Sequence, residues 1–318
     1  MTDTVAVLGP GRIGRQIALA FALGGCRVRL IDIKEGRSVA DAERTLADAR
    51  REIARDVGLM VEEQVIEAPA ATAALARIEE RVGLGALDDC SFVQEALPES
   101  VTLKRAAFAR LNAVVADDTI IASASSTVSP SHLMDAVARP ARFLVAHWLN
   151  PAHIIPLVEV VPSPSTAPAA VERTLGVLSA LGKEPVTCHD SPGFIVPRLQ
   201  VLLMNEAVRL VEEGVATAED VDRAIRAGLG FRYASLGIFE FIDWGGVDIL
   251  YRASRYMTET LGDERFKPAR LVEQKMAWNE LGPKTGRGFF DYTGARRDAF
   301  ETEKVRALLR RLRRERPT

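Results

Sequence analysis

Val5-Ala-Val-Leu8 is a short apolar run, and Gly9-Pro-Gly11-Arg12-Ile13-Gly14 follows it directly. Ile17, Ala18, Ala20, Phe21 and Ala22 then recur at helical spacing. Cys26-Arg-Val-Arg-Leu-Ile-Asp32 alternates like a strand until it closes on an acid. Strand, G-x-G-x-x-G, helix, strand and acid, in that order, make a Rossmann unit. Each glycine has its own reason. Gly9 permits the tight turn, Gly11 lets a pyrophosphate approach the backbone, and Gly14 lets the helix pack close to the strand. The turn through Arg12 and Ile13 then presents the free N–H groups and dipole of a helix start to the phosphates. Asp32 suits a ribose 2′-hydroxyl and repels a 2′-phosphate, which predicts NAD rather than NADP. Lys34 and Arg37, just beyond it, soften that preference.

A chain of 318 residues suits two domains, and 47% hydrophobic residues support a real core. The net charge of −2 argues against nucleic acid or a membrane surface as the main partner. Cys26, Cys90 and Cys188 are far apart and odd in number, as expected of reduced, buried thiols, and their spacing suits no zinc site. No metal is expected. The first residues lead straight into a strand with no secretory pattern, and no uncharged run would cross a bilayer, so a cytoplasmic protein is expected.

Ser38 to Val57 and Glu62 to Glu80 read as two helices forming a hairpin inserted after the second strand. Arg50, Arg51 and Arg55 would meet a phosphate-bearing ligand there, or else pair with glutamates on a solvated face. Ser91 to Glu99 returns to the sheet, Leu103 to Val115 is helical, and Thr119 to Ser123 is the next strand. Loops at the carboxyl ends of such strands face the ligand, which puts Glu99, Ser126 and His147 on one rim. Ser126 is also a possible cap for a helix at Pro130 to Val137, although Ser129 suits that role better.

The stretch Ala146 to Val161, A-H-W-L-N-P-A-H-I-I-P-L-V-E-V-V, carries the candidate chemistry. Phe143, Leu144 and Val145 end a buried strand, and Pro151 and Pro156 keep the following loop out of helix. Glu159 lies inside the next apolar run, where an unpaired carboxylate is expensive. If the loop turns the chain back, Glu159 faces His147, and such a pair is a ready general base near neutral pH. The plainer alternatives are a structural histidine at a strand end and a glutamate turned to solvent.

Thr166 to Leu181 reads as a helix and Glu184 to Cys188 as a last strand. Ser191-Pro-Gly193-Phe194 is a strong break, and no strand is convincing beyond it. Helices follow at Leu199 to Glu213, capped by Gly214, at Val221 to Ala227 behind the Thr217-Ala-Glu-Asp220 box, and at Gly237 to Trp244 and Asp248 to Leu261. The basic run Lys304 to Arg316 is read as a solvated helix with Val305, Leu308, Leu309 and Leu312 inward. Gly282 to Tyr292 is a glycine-rich loop in which Lys284 is available to an anion. The expected architecture is therefore α/β. A Rossmann-type doubly wound sheet with the inserted hairpin spans residues 1–190. An all-helical domain for substrate and dimerisation spans residues 191–318, and a homodimer through it is expected.

These segments together resemble the L-3-hydroxyacyl-CoA dehydrogenase family over nearly the whole chain. The likeness rests on the glycine motif, Ala96-Leu-Pro-Glu-Ser-Val-Thr-Leu-Lys104, His147-Trp-Leu-Asn-Pro151 with Leu157-Val-Glu-Val160, Ser191-Pro-Gly-Phe-Ile-Val196 and Gly282 to Tyr292. The resemblance implies that His147 is the base and Glu159 its orienting partner. Ser126 and Asn150 would hydrogen-bond the reacting oxygen and the cofactor ring, and Glu99, Lys104 and Lys284 would contact NAD. Three departures fall near the expected substrate: Pro197 and Ala124 replace asparagines, and Arg232 to Gly237 replaces a P-M-G-P segment. The resemblance implies a short-chain 3-hydroxyacyl-CoA substrate. The His147-Trp-Leu-Asn-Pro-Ala-His-Ile-Ile-Pro156 stretch and the Arg232-Tyr-Ala segment look more like branches acting on small free carboxylates such as gulonate, carnitine or hydroxymethyl-pyridine carboxylates, with Arg232 pairing the carboxylate, or else serving as a surface or capping arginine. A catalytically silent, crystallin-like NAD-binding protein is a third reading, against which His147, Glu159, Ser126 and Asn150 together speak.

Overall fold

The computed structural model describes residues 3–34 and 36–315. Eight strands lie in chain order at β1 Thr4–Leu8, β2 Arg27–Asp32, β3 Ile78–Val82, β4 Cys90–Glu95, β5 Ile120–Ser123, β6 Phe143–Trp148, β7 Leu157–Pro162 and β8 Glu184–Thr187. They form one sheet in the order β3-β2-β1-β4-β5-β6-β7-β8. Every neighbouring pair is parallel except β6 and β7. The central strands are buried on both faces, which is why they read as unbroken apolar runs. Helices α1 Arg12–Leu23, α2 Val39–Glu62, α3 Ala68–Ala76 and α5 Pro168–Ala180 cover one face; α4 Val101–Leu111 and the segment Leu133 to Val137 cover the other.

The inserted hairpin differs from its expected form. Helix α2 runs on to Glu62 behind its Ser38 cap, α3 is short, and residues 78–82 are not helix but the edge strand β3. Ile-Glu-Glu-Arg-Val carries charge because an edge strand faces water on one side, and charge there discourages pairing with another chain. Arg50, Arg51 and Arg55 pair with Glu80, Asp48 and Glu52, the solvated-face alternative. The helix expected at Pro130 to Val137 is two 3-10 turns, at Pro130–His132 and Met134–Ala136. Ser129 caps the first of them and also donates to Asp190. Cys26 and Cys90 are buried and Cys188 is half-buried, all as free thiols.

The chain divides into two compact units, Met1–Leu203 and Met204–Thr318. Helix α6, Val196–Glu212, begins in the first. Within the second lie α7 Ala218–Ala224, a π-helical turn at Ile225–Gly230, α8 Phe231–Tyr233, α9 Ile238–Gly245, α10 Val247–Leu261, α11 Arg270–Ala277 and α12 Ala295–Glu315. Its described residues contain no strand. The helix expected to reach Ala227 passes into the π-turn at Ile225. The glycine-rich loop wraps a buried acid: the Asp243 carboxylate accepts from Phe289 N–H, Phe290 N–H and the Tyr292 hydroxyl. A Cβ at Gly288 would lie 2.2 Å from Asp243 Oδ1, so only glycine lets the loop close. On α12 the sequence placed Val305, Leu308, Leu309 and Leu312 inside; Leu308 is half-buried, but Val305, Leu309 and Leu312 are 40%, 57% and 40% exposed. Arg316 lies outside the described residues. No described helix is long and apolar enough to cross a membrane.

Candidate active site

Gly9, Gly11, Arg12, Asp32, Leu97 and Asn150 line a cleft of about 700 Å³ at the carboxyl ends of β1, β2 and β4. Its glycines are sterically specific. Gly9 adopts φ +100°, where a Cβ would sit 2.8 Å from the Ala96 carbonyl oxygen, and a Cβ on Gly14 would sit 1.9 Å from the Gly9 carbonyl oxygen. Gly11 has no atom within 4 Å of where its Cβ would be, so its bare face opens on the cleft. Gly11 is also the N-cap of α1, whose first turn contains no acid. This cradle of free N–H groups fits a pyrophosphate. Ile13 is half-buried in the same turn, and Arg12 is exposed on the cleft. Asp32, 4% exposed, accepts from Lys34 N–H at 3.0 Å and Arg37 Nη1 at 2.5 Å.

The antiparallel register of β6 and β7 sets His147 directly opposite Glu159. Nδ1 of His147 lies 2.7 Å from Glu159 Oε2. The other oxygen, Oε1, accepts the Ile195 and Val196 N–H groups, each at 2.9 Å, at the start of α6. Burial pushes the Glu159 carboxyl up, but the bonds from His147, Val196 and Ile195 outweigh it and hold its pKa below the ordinary carboxylate value. An ionised carboxylate only accepts, so Nδ1 carries a proton and the neutral ring leaves Nε2 as an acceptor. The Phe194 ring packs 5.8 Å from the imidazole, in a residue turned to φ +44°. The Pro-Gly-Phe-Ile-Val segment thus presses a ring on the histidine and gives two N–H groups to its partner. Nothing in the spacing of that segment announced this.

Glu99 acts as a clamp. Its Oε1 accepts from Ser125 Oγ and Thr127 Oγ1 and from the N–H groups of Ser126, Thr127 and Val128. The serine loop is therefore wrapped around one carboxylate. Ser125 is buried, while the hydroxyl of half-buried Ser126 has no hydrogen-bond partner among the described residues. Lys104, 1% exposed, donates to Glu95 Oε1 at 2.8 Å and Leu97 O at 3.3 Å and pairs with Glu99 Oε2 at 3.3 Å. The resemblance assigned Glu99 and Lys104 to NAD; the structure turns their charges on each other and on Glu95. Lys104 is buried and is not among the residues that line the cleft. Lys284 and Arg232 belong to the second unit, and Pro197 to the start of α6. Lys284 pairs with Asp248 in the second unit, Arg232 lies 4.2 Å over the Phe241 ring there, and Pro197 is half-buried in the first turn of α6. Sequence reasoning passed over Gln94 and Glu95, polar residues in a buried strand; that misplacement was the available signal. No group of three potential metal-ligating side chains occurs among the described residues.

The clamp carries a pH dependence. Burial raises the Glu99 pKa, but the Ser125 hydroxyl, Thr127 N–H, the Lys104 charge and Val128 N–H bring it down to about 2 from 4.5. A folded pKa below the unfolded one gives stability that is whole above pH ~4.5 and drains away as pH falls toward ~2. With Glu99 a third exposed, that stability is on the order of 1–2 kcal/mol. Urea melts of Glu99→Gln between pH 5 and 3 should show a shallower decline than the parent; parallel declines would exclude the clamp.

The family model for the NAD-binding domain of 3-hydroxyacyl-CoA dehydrogenase matches residues 4–191, and that for its C-terminal domain matches residues 193–292. A 5-formyl-3-hydroxy-2-methylpyridine 4-carboxylate 5-dehydrogenase of Mesorhizobium japonicum is 31% identical over 315 residues, covering 97% of each chain. A lambda-crystallin homolog of Bos taurus is 40% identical over 261 residues, covering 79% of this chain and 77% of its own. Among solved structures, a 3-hydroxyacyl-CoA dehydrogenase of Archaeoglobus fulgidus matches with a TM-score of 0.77 at 33% identity, covering 98% of each chain.

Proposed function

This chain belongs to the 3-hydroxyacyl-CoA dehydrogenase family, a family of NAD-dependent dehydrogenases, and from that premise we propose that it oxidises a short-chain 3-hydroxyacyl-CoA to the 3-oxoacyl-CoA, reversibly, with His147 as base. The observation that carries the reading is the 2.7 Å contact between His147 and buried Glu159, in the unit that also holds the glycine cradle. NAD bound at that cradle supplies the hydride acceptor. His147 takes the hydroxyl proton on Nε2, because Glu159 holds the proton on Nδ1. Glu159 then faces the imidazolium across one short bond, and its charge offsets the new one. Ser126, with its uncommitted hydroxyl, and Asn150, on the cleft, are the groups assigned to the reacting oxygen and the cofactor ring. General-base help of this kind supplies about 10²- to 10⁴-fold.

A second reading keeps this chemistry on a small free hydroxy carboxylate. Two observations favour it. The pyridine-carboxylate dehydrogenase matches end to end. Arg232 is stacked on Phe241, which occupies its flat face and leaves the N–H edge for a carboxylate. Pro197 would then shape the substrate site without donating to it. Initial rates with 3-hydroxybutyryl-CoA against gulonate, carnitine and hydroxymethyl-pyridine carboxylates separate the two. NADH formed only from the CoA ester supports the first; NADH formed only from a free acid discards it. In the second case Arg232→Met should cut kcat/KM for the acid by about 10- to 100-fold, the worth of a charged hydrogen bond.

In this reading residues 1–190 bind the cofactor and residues 191–318 serve substrate and pairing. Leu199, Leu202, Met204 and Val208 on α6 are 53%, 66%, 55% and 57% exposed, apolar surface of the kind a second copy covers. Sedimentation equilibrium should give twice the monomer mass; a monomer at micromolar concentration would discard the pairing.

A further inference from the structure

Asn150 lies in the loop between β6 and β7, and the loop is tied on both sides of it. On one side Trp148 Nε1 donates to Gln94 Oε1 at 3.1 Å. On the other, Ala152 N–H donates to Gln16 Oε1 at 3.0 Å. Lys183, in the turn before β8, donates through Nζ to Ala152 O at 2.7 Å, Ile155 O at 2.8 Å and His153 O at 3.4 Å. The same ammonium sits 5.7 Å from the Trp148 ring. Gln16 and Lys183 are 7% and 8% exposed. No carboxylate pairs with Lys183 among the described residues. Burial alone pushes its pKa below the ordinary lysine value.

A buried ammonium without a counter-ion is a costly way to fill space, and an apolar side chain of similar length would be cheaper. Here its three donors gather three carbonyls that the loop would otherwise leave unpaired. Gln16 belongs to α1, the helix whose first turn forms the phosphate cradle, so one helix both receives the cofactor and holds the loop. We propose that Lys183 and Gln16 are positioning residues for the dehydrogenase reaction: they pin residues 151–155 and so hold Asn150 on the cofactor cleft and, through it, the setting of His147. The proposal rests on the reading that Asn150 meets the reacting groups.

The test uses Lys183→Met and Gln16→Leu in the full chain, with circular dichroism and a thermal melt to verify folding. Amide exchange of the peptide covering 149–155 should rise about tenfold or more in both variants, with the rest of the sheet unchanged. The dissociation constant for NADH, from its fluorescence, should move less than about threefold, while kcat falls about 10- to 100-fold, as small misplacements of reacting groups do. Lys183→Arg, which keeps charge and donors, should recover part of that loss. Unchanged exchange in 149–155, or a lowered melting temperature with kcat per folded molecule intact, would overturn the proposal. If Lys183→Met does not fold, Gln16→Leu carries the same test. If no substrate of the panel is turned over, the dehydrogenase reading fails, and the exchange pattern still decides whether Lys183 and Gln16 pin the loop.

Discussion

Glu159→Gln is expected to lower turnover by about 10³- to 10⁴-fold while leaving the NADH dissociation constant within about threefold. Glutamine keeps the volume, and its carbonyl oxygen can still accept the Ile195 and Val196 N–H groups that Glu159 holds at 2.9 Å. What changes is the partner of Nδ1. An amide NH₂ facing the ring donates to it, so the proton moves to Nε2 and the atom assigned to the substrate hydroxyl can no longer accept. The charge that offsets the imidazolium is lost as well. Glu159→Ala differs: it also leaves the start of α6 without its acceptor and opens a cavity, so a lower melting temperature accompanies the lost rate. The measurement is kcat by NADH absorbance beside NADH binding by fluorescence. Full turnover in Glu159→Gln would remove the His147–Glu159 base from the mechanism.

Lys104→Met should destabilise the first unit by about 3–5 kcal/mol, because it strips the partner from a carboxylate that is itself buried. Glu95 is 0% exposed and keeps only Ser123 Oγ and Leu97 N–H once the ammonium is gone. A drop of that size lowers the melting midpoint by roughly 10 °C in a unit of this length. The resemblance to the family leads to the opposite pattern, a raised KM for NAD in a protein of undiminished stability. A thermal melt together with NADH titration distinguishes them directly. An unchanged midpoint with weakened NADH binding would return Lys104 to the cofactor and leave the buried network without consequence.

The apolar runs made most of the sheet legible, since strands buried on both faces announce themselves by composition. β3 escaped because Ile78-Glu-Glu-Arg-Val82 is an edge, where charge and not hydrophobicity is the useful property. The two short turns at Pro130–His132 and Met134–Ala136 escaped for a different reason: Ser129 and Ser131 both bond to Asp190, about sixty residues away, and that tie competes with a continuing helix. His147 and Glu159 were legible as a meeting because a two-proline loop between two strands has few ways to run but back. Their setting was not, since Phe194, Ile195 and Val196 arrive from a segment that no local pattern connects to β7.

From the residues alone came the order strand, glycine turn, helix, strand and acid, the pairing of an isolated acid with an isolated imidazole, and a helical second half. Those are properties of spacing and of what burial tolerates, and both are written locally. The folded chain decided which donors each buried charge takes: Glu99 takes the serine loop, Lys104 takes Glu95, Asp243 takes the closing glycine loop, and Lys183 takes three carbonyls. A charge removed from water accepts the partners that packing brings within about 3 Å, and packing joins residues whose separation along the chain carries no signal.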